Sequence, residues 1–190
     1  DRGSGGMKIL LDLINRKNVF SWRGNHDHWA QMLLRNFVLS NDGCFADGLE
    51  EVFRLWLSDG GSTTYEEFLK LDESKQHAVL RYLGSLPVYK RLTVEGRKFF
   101  LAHTVPEKLK MLDTSNWKNP DFIMGEPEYE KMYFEDTMIV TGHTPTGFID
   151  PDYTGQIWKG NNHIAIDCGA VFGNPLGCIC LDTMEEIYVE

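Results

Sequence analysis

Three segments of the chain share one pattern, an apolar and β-prone run followed closely by a histidine: Asn25-His26 after residues 19–22, His103 after 98–102 and His143 after 137–140. Polar groups at the carboxyl ends of strands are the usual functional placement in α/β proteins. Imidazole nitrogens and an amide oxygen are suitable ligands for a borderline divalent cation, and three protein ligands leave positions open for substrate. A single histidine at a strand end is more often structural, but three of them predict a shared metal-binding site.

The remaining elements are predicted from periodicity and turn residues. Helical spacing of apolar residues occurs over 7–16, 29–38 and most of 49–86, with a predicted capping box at Thr63-Thr64-Tyr65-Glu66. A further strand at 88–94 is expected to form a hairpin with 98–102 across the Glu95-Gly96 turn, and strands at 176–182 and 186–189 are expected to form a second hairpin. Another strand is expected at 164–166, and loops are expected at 41–48 and 107–134. The helical block 49–86 is interpreted as a cap or insertion between sheet elements, with a structural or substrate-shaping role.

Composition limits the function classes. The 190-residue chain carries a net charge of −9, which argues against non-specific binding to nucleic acid or an anionic membrane. An anionic substrate remains compatible, because a bound divalent metal inverts the local field. No apolar run approaches the roughly 20 residues of a membrane span. The chain begins without methionine, so the lack of a visible targeting segment does not fix its location.

The cysteines and His163 are assigned structural or supporting roles. Cys44, Cys168, Cys178 and Cys180 lack CxxC spacing, which favours buried free thiols over disulfides and predicts a cytoplasmic protein. His163 precedes a predicted strand, where a structural role or one supporting a ligand is preferred.

Five ordered motifs resemble those of the calcineurin-like metallophosphoesterases: Asp1-Arg2-Gly3, Gly24-Asn25-His26-Asp27, His103, Gly142-His143-Thr144-Pro145 and Ile166-Asp167-Cys168-Gly169-Ala170. They are most similar to the bacterial and phage branch of the serine/threonine phosphoprotein phosphatases. The resemblance covers most of the chain. It implies an α+β fold, a four-layer αββα sandwich, forming one domain over 1–190 that lacks the first strands of the family. It also implies two divalent metal ions, manganese, iron or zinc, at the strand ends.

The resemblance also implies metal ligands. Asn25, His103 and His143 match ligands of the second metal. In such a centre two metals bind the phosphate oxygens and a bridging hydroxide for in-line attack.

The resemblance assigns catalytic roles to three further residues. His26 matches the general acid that protonates the leaving alkoxide, and Asp1 matches the carboxylate paired with that histidine. A neighbouring carboxylate is expected to raise the pKa of His26. Arg2 matches the arginine that holds the substrate phosphate, which a guanidinium grips bidentately. The alternative for Asp1 and Arg2 is a frayed terminus without a role.

Two departures from the family pattern affect the expected activity. The Gly-Asp-x-His motif and an aspartate ahead of Asp1 are absent, so residues 1–190 alone are expected to bind at most one metal and to show little phosphatase activity. In addition, Glu126 occupies the place where an arginine is expected. A carboxylate there would repel phosphate unless it turns outward or accepts a basic group.

These features together predict a metal-dependent phosphoester hydrolase acting on a phosphorylated protein or a small phosphoester. The first choice is a serine/threonine protein phosphatase that uses a metal-activated hydroxide. Two alternatives stay open: a dinucleoside polyphosphate hydrolase of the same fold, and a non-catalytic remnant that binds a ligand without turnover.

Overall fold

The computed structural model describes residues 1–40, 48–107 and 119–190. These residues form two compact units, Asp1–Leu86 and Pro87–Glu190. The predicted loop at 41–48, except for its last residue, lies outside the described residues, as do Cys44 and much of the predicted loop at 107–134. Each unit is described by itself below.

The first unit is helical. Its elements are α1 (Gly6–Asn15), α2 (Asn25–Leu39), α3 (Leu49–Trp56), a kinked turn (Leu57–Gly61), α4 (Ser62–Leu69) and α5 (Glu73–Ser85). The helical patterns over 7–16 and 49–86 are therefore confirmed as helices. Apolar side chains from all five helices form the core of this unit: Met7, Ala30, Leu33, Leu34, Trp56, Phe68, Val79, Leu80, Leu83 and Leu86.

Two local predictions in the first unit are wrong. Residues 19–22 form irregular backbone instead of a strand, and Phe20 is 74% exposed. A β-prone run forms a strand only when its backbone groups meet a partner strand, and the described part of this unit contains no strand. Helix α2 begins at Asn25, four residues earlier than predicted.

The predicted capping box is also absent. Helix α4 begins at Ser62, and Thr64 lies buried within its first turn. Although a kink at Asp59 and Gly60 separates α3 from α4, Gly61 directly before α4 has helical backbone angles and not extended ones, and no side-chain cap is formed.

The second unit contains a five-stranded mixed sheet in the order β1-β2-β3-β5-β4. The strands are β1 (Tyr89–Val94), β2 (Arg97–Ala102), β3 (Thr137–Thr141), β4 (Trp158–Gly160) and β5 (His163–Ala165). The predicted hairpin is confirmed by antiparallel pairing of β1 with β2. The pairs β2–β3 and β3–β5 are parallel, so the carboxyl ends of these three strands share one edge of the sheet. Strand β4 was not predicted, because Trp158-Lys159-Gly160 lacks the continuous apolar run that marks 164–166.

The centre of this sheet follows from an uninterrupted apolar run. Phe99, Phe100, Leu101 and Ala102 of β2 are all buried, as expected of a strand covered on both faces. One side of the sheet packs into a mainly aromatic core: Phe100, Ala102, Val105, Phe122, Phe134 and Ile139. Helix α6 (Thr146–Ile149) and three 3₁₀ turns, Asn119–Phe122, Pro151–Tyr153 and Ala170–Phe172, complete the connections.

A second, two-stranded sheet ends the chain. Strands β6 (Leu176–Ile179) and β7 (Glu186–Val189) pair antiparallel, which confirms the second predicted hairpin. The mixture of helices and strands agrees with the predicted α+β class, while the four-layer sandwich stays a prediction.

The cysteine prediction holds only in part. Cys168, Cys178 and Cys180 are free thiols, as predicted. Cys168 is buried, but Cys178 is exposed, because it lies on a short hairpin whose second strand is exposed throughout. Within the described ranges, no helix is both long and apolar enough to span a membrane.

Candidate functional site

Asp1 and His26 form a close pair in the first unit. His26 is the second residue of α2, and its Nδ1 lies 2.6 Å from Asp1 Oδ2. Trp56 Nε1 donates to the same carboxylate oxygen at 2.7 Å. The Asp1 side chain is only 4% exposed, so the carboxylate is held by both donors away from water. Because Asp1 can only accept, His26 carries its proton on Nδ1 when it is neutral.

Arg2 is anchored by a turn that the sequence did not single out. Its Nη2 lies 2.5 Å from Asp59 Oδ1, and its Nε donates to the Asp59 carbonyl at 3.1 Å. Its backbone N–H donates to the Gly60 carbonyl at 3.0 Å. The structure therefore does not show Arg2 as a frayed terminus. Asp59 also faces the histidine: its Oδ2 lies 3.3 Å from His26 Nε2.

Two glycines allow this turn to lie close to Arg2 and to the Trp56 ring. Gly60 has φ +98°, and a Cβ there would lie 2.3 Å from Arg2 Cγ. At Gly61 a Cβ would lie 2.4 Å from the Trp56 ring. The Asp-Gly-Gly sequence was the only signal in the chain that could have indicated this contact.

The electrostatics of His26 differ from the expectation. Burial lowers its pKa, and the Arg2 guanidinium lowers it further, while Asp59 opposes the shift. The net direction is downward, opposite to the rise expected from a neighbouring carboxylate alone. Asn25 precedes His26 at the start of the 15-residue helix α2, where the helix dipole also disfavours a positive charge.

In the second unit the structure brings His103 and His143 together. They follow the neighbouring parallel strands β2 and β3, and Gly142 N–H donates to the His103 carbonyl at 3.1 Å. His103 Nε2 lies 3.0 Å from His143 Nδ1. Two ring nitrogens so close are either hydrogen-bonded to each other or positioned for a common ion.

The backbone at His143 is strained. It has φ +68°, and Thr144 N–H donates to the Gly142 carbonyl at 2.8 Å. This is the hydrogen bond of a three-residue turn, whose positive-φ form is rare. Such outliers in non-glycine residues cost about 1–3 kcal/mol and concentrate at functional sites. The strain is thus consistent with a functional role for the imidazole.

The two imidazoles fit part of a metal site. Nitrogens bound to one ion at about 2.0–2.1 Å and at right angles to each other lie about 3 Å apart, which matches the observed 3.0 Å. However, within the described residues no group of three or more histidines, cysteines or carboxylates could hold a metal. The role of His103 and His143 as two of the ligands of such an ion stays a prediction. Asn25 belongs to the first unit, and its contribution to the same ion stays a prediction.

His163 has a structural place beneath the strand ends. It is buried, its Nε2 lies 2.8 Å from Thr141 Oγ1, and its ring stacks on Tyr129 with centroids 5.0 Å apart. Burial lowers its pKa to about 4. His163 is therefore neutral at physiological pH, in agreement with the structural role preferred from the sequence.

This burial predicts a pH dependence of stability. Between pH 6.5 and about 4 the unfolded chain binds a proton at His163 and the folded chain does not, so acidification in this window favours unfolding. The contribution should reach about 3 kcal/mol at the acidic end. Urea unfolding of the His163→Asn variant should show a shallower loss between pH 6.5 and 4.5 than the parent. The control His77→Gln should keep the parent's slope; equal slopes in all three proteins would contradict the assignment.

Glu126 lies on an exposed loop with a fixed anchor. The Gly125 carbonyl accepts a hydrogen bond from Thr104 Oγ1 at 2.8 Å. A Cβ on Gly125 would lie 2.4 Å from the Asp121 carbonyl oxygen, so only glycine fits there. The Glu126 side chain is exposed.

Comparison with known proteins identifies relatives along the entire chain. No protein-family model matches. The chain is 28% identical over 208 residues to the bis(5'-nucleosyl)-tetraphosphatase PrpE [asymmetrical] of Bacillus mycoides, covering all of this chain and 75% of that protein. The PrpE protein of Geobacillus thermodenitrificans is 28% identical over 209 residues with the same coverage. Both relatives of this chain are thus named as dinucleoside tetraphosphatases.

A solved structure supports the fold. The crystal structure described as that of "a putative diadenosine tetraphosphatase" superposes with a TM-score of 0.58 and 16% identity, covering all of this chain and 75% of that one. The mixed five-stranded sheet is consistent with a metallophosphatase-like fold, as the resemblance implied. The comparisons support a phosphoester hydrolase and favour the dinucleoside alternative; they give no support to the protein phosphatase first choice.

Proposed function

We propose that the chain is a metal-dependent hydrolase of bis(5'-nucleosyl) tetraphosphates. The observation that carries this proposal is the similarity, along the full chain, to tetraphosphatases from several bacteria. The Asp1–His26 pair in the first unit, and the His103 and His143 imidazoles that lie next to each other in the second, would supply the chemistry that such a reaction requires.

The chain's own residues take the following roles. His103, His143 and Asn25 would hold one divalent ion; a dinuclear centre supplies a metal-activated hydroxide and neutralises phosphate charge. Arg2 binds a substrate phosphate through its guanidinium. Asp1 orients His26 through Nδ1, so that Nε2 is the atom that carries a proton to the leaving oxygen. The water oxygen bonds to phosphorus while the anhydride P–O bond breaks.

The direct test is product analysis with diadenosine tetraphosphate and Mn²⁺. Two proteins should be assayed: the 190-residue chain, and an extended chain in which a segment carrying the Gly-Asp-x-His motif precedes Asp1. We expect ATP and AMP from the extended chain and little turnover by residues 1–190. If ADP is the only product, or if the extended chain hydrolyses no diadenosine tetraphosphate, the proposal is contradicted.

Two exposed aromatic rings suit a nucleoside substrate better than a phosphoserine. Phe148 on α6 and Phe172 on the turn Ala170–Phe172 are 75% and 64% exposed, with ring centroids 6.0 Å apart. The loops that carry them follow His143 and Asp167 and are joined by the Thr146 N–H, which donates to the Asp167 carbonyl at 2.8 Å. Purine bases stack on such rings.

Phe172→Ala should therefore raise KM for diadenosine tetraphosphate about 5- to 150-fold, since stacking contributes roughly 1–3 kcal/mol per base. Its effect on hydrolysis of a phenyl phosphate should be small, because that substrate has no purine. Phe20→Ala, which removes an equally exposed ring outside these loops, is the control. Equal effects of Phe172→Ala on both substrates would exclude base stacking there.

Glu126→Arg tests whether its loop faces the substrate. If the loop borders the site, replacing a carboxylate by a guanidinium should tighten vanadate inhibition several-fold, because a repulsive charge becomes a bidentate donor. The exposed Glu130→Arg variant has the same charge change and serves as control. An unchanged inhibition constant would mean that Glu126 points away from the substrate.

Binding without turnover is the second candidate for the 190-residue chain. It is favoured by the lack of a complete ligand group for a metal among the described residues. Tight binding of diadenosine tetraphosphate by both proteins, with no products from either, would support it.

A further inference from the structure

The carboxylate of Asp59 bridges the two groups that this reaction assigns to the substrate phosphate. Its Oδ1 lies 2.5 Å from Arg2 Nη2, and its Oδ2 lies 3.3 Å from His26 Nε2. We propose that Asp59 holds the place of a substrate phosphate, so that phosphate must displace this side chain to bind. Asp59 thereby acts as an internal competitor that sets the specificity of the site for multiply charged anions.

The donor groups suit either anion. A guanidinium binds carboxylate and phosphate oxygens through the same planar arrangement of N–H groups. His26 Nε2 is buried and makes no hydrogen bond to the described residues, although it lies within ion-pair distance of Asp59. Since neutral His26 has its proton on Nδ1, its Nε2 offers a lone pair, to which the P–O–H group of hydrogen phosphate can donate and the Asp59 carboxylate cannot.

The Asp59 side chain is placed where it can leave. The Arg2 and Asp59 side chains are 38% and 45% exposed, and ion pairs at such exposure stabilise a fold only weakly. Asp59 also lies in the segment Leu57–Gly61, at a kink where its own backbone is non-helical, with φ −90° and ψ 20°.

Arg2 keeps its position when the carboxylate moves. Its Nε donates to the main-chain carbonyl of Asp59, and its backbone N–H donates to the Gly60 carbonyl. Neither bond involves the Asp59 side chain. Rotation of that side chain therefore frees the outer guanidinium nitrogens without releasing the arginine. A dianionic phosphate gains more from Arg2 than a monoanion does, so competition by Asp59 disfavours singly charged anions.

The test is the affinity of the metal-free 190-residue chain for inorganic phosphate at pH 7.5, measured by calorimetry or by NMR of the Arg2 Nε–H signal. Asp59→Asn should tighten phosphate binding about three- to tenfold, through loss of the competing ion pair and of its repulsion. Asp12→Asn is the matched control. It makes the same charge change and breaks the exposed Arg16–Asp12 pair, and it should leave phosphate affinity unchanged. Arg2→Gln should abolish the binding.

Three outcomes would overturn the inference. Weaker binding by Asp59→Asn would show that the carboxylate positions Arg2, and equal tightening by Asp12→Asn would show a general charge effect. Parent-like binding by Arg2→Gln would show that phosphate binds elsewhere. The inference rests on the proposed function only for the choice of phosphate as the anion. Because no turnover is measured, the expected affinities together with failure to hydrolyse diadenosine tetraphosphate would refute the function alone.

Discussion

His26→Ala is expected to lower kcat of the extended chain for diadenosine tetraphosphate by about 10²-fold while leaving its metal content unchanged. General acid catalysis contributes about 10²–10⁴-fold. The lower end applies because a polyphosphate leaving group is a weaker base than an alkoxide. For the same reason, the loss should be larger with a phosphoserine peptide. Stopped assays and elemental analysis of the same samples measure both quantities.

The ligand variants provide the contrast. His103→Ala and His143→Ala should lower metal content and kcat together, because each would remove one of the paired ring nitrogens that lie 3.0 Å apart. Equal metal loss in all three variants would show that His26 is itself a ligand. Retention of metal by both His103→Ala and His143→Ala would show that their pairing is structural.

Asp1→Asn should have the second-largest effect. The buried carboxylate accepts from His26 Nδ1 and Trp56 Nε1, and hydrogen bonds to a charged group contribute about 1.5–3 kcal/mol. We expect kcat of the extended chain to fall roughly tenfold or more, but by less than in His26→Ala. KM should change little, because His26 loses its orientation and not its ability to bind substrate.

Trp56→Phe separates orientation from packing. It removes the second donor to Asp1 but keeps an aromatic ring in the core of the first unit, so its effect on kcat should be several-fold at most. If Trp56→Phe lowers kcat as much as Asp1→Asn does, general loosening of the first unit explains both variants. A parent-like kcat for Asp1→Asn would show that the pair has no catalytic role.

The sequence predicted the elements whose signal is local. The hairpin of β1 and β2 was predicted because a Glu95-Gly96 turn separates two β-rich runs, and this turn is realised with positive φ at both residues. The helices of the first unit were predicted from their apolar periodicity. The run at 19–22 carries an equally clear β signal, but it lies in a unit whose described part is helical, and its propensity alone does not form a strand.

Residues of the candidate site could be named from the sequence where they belong to a motif. They were missed where they join the site only through a tertiary contact. The pairs Asp1–His26 and His103–His143 join residues named from the sequence. Asp59 was missed because it is 57 residues away from Arg2 in the sequence, and because their contact depends on the close approach that Gly60 allows. The direction of the His26 pKa shift was missed for a related reason: burial, which outweighs the nearby carboxylate, is not visible in a motif.

The substrate specificity of the extended chain decides between the dinucleotide and the phosphoprotein as substrate. It is measured as kcat/KM for diadenosine tetraphosphate and for a phosphoserine peptide, with one enzyme preparation and the same Mn²⁺ concentration. We expect the dinucleotide to be preferred by at least about tenfold, a difference of roughly 1.4 kcal/mol in transition-state stabilisation. A preference for the phosphoserine peptide would contradict the proposed function and restore the protein phosphatase interpretation.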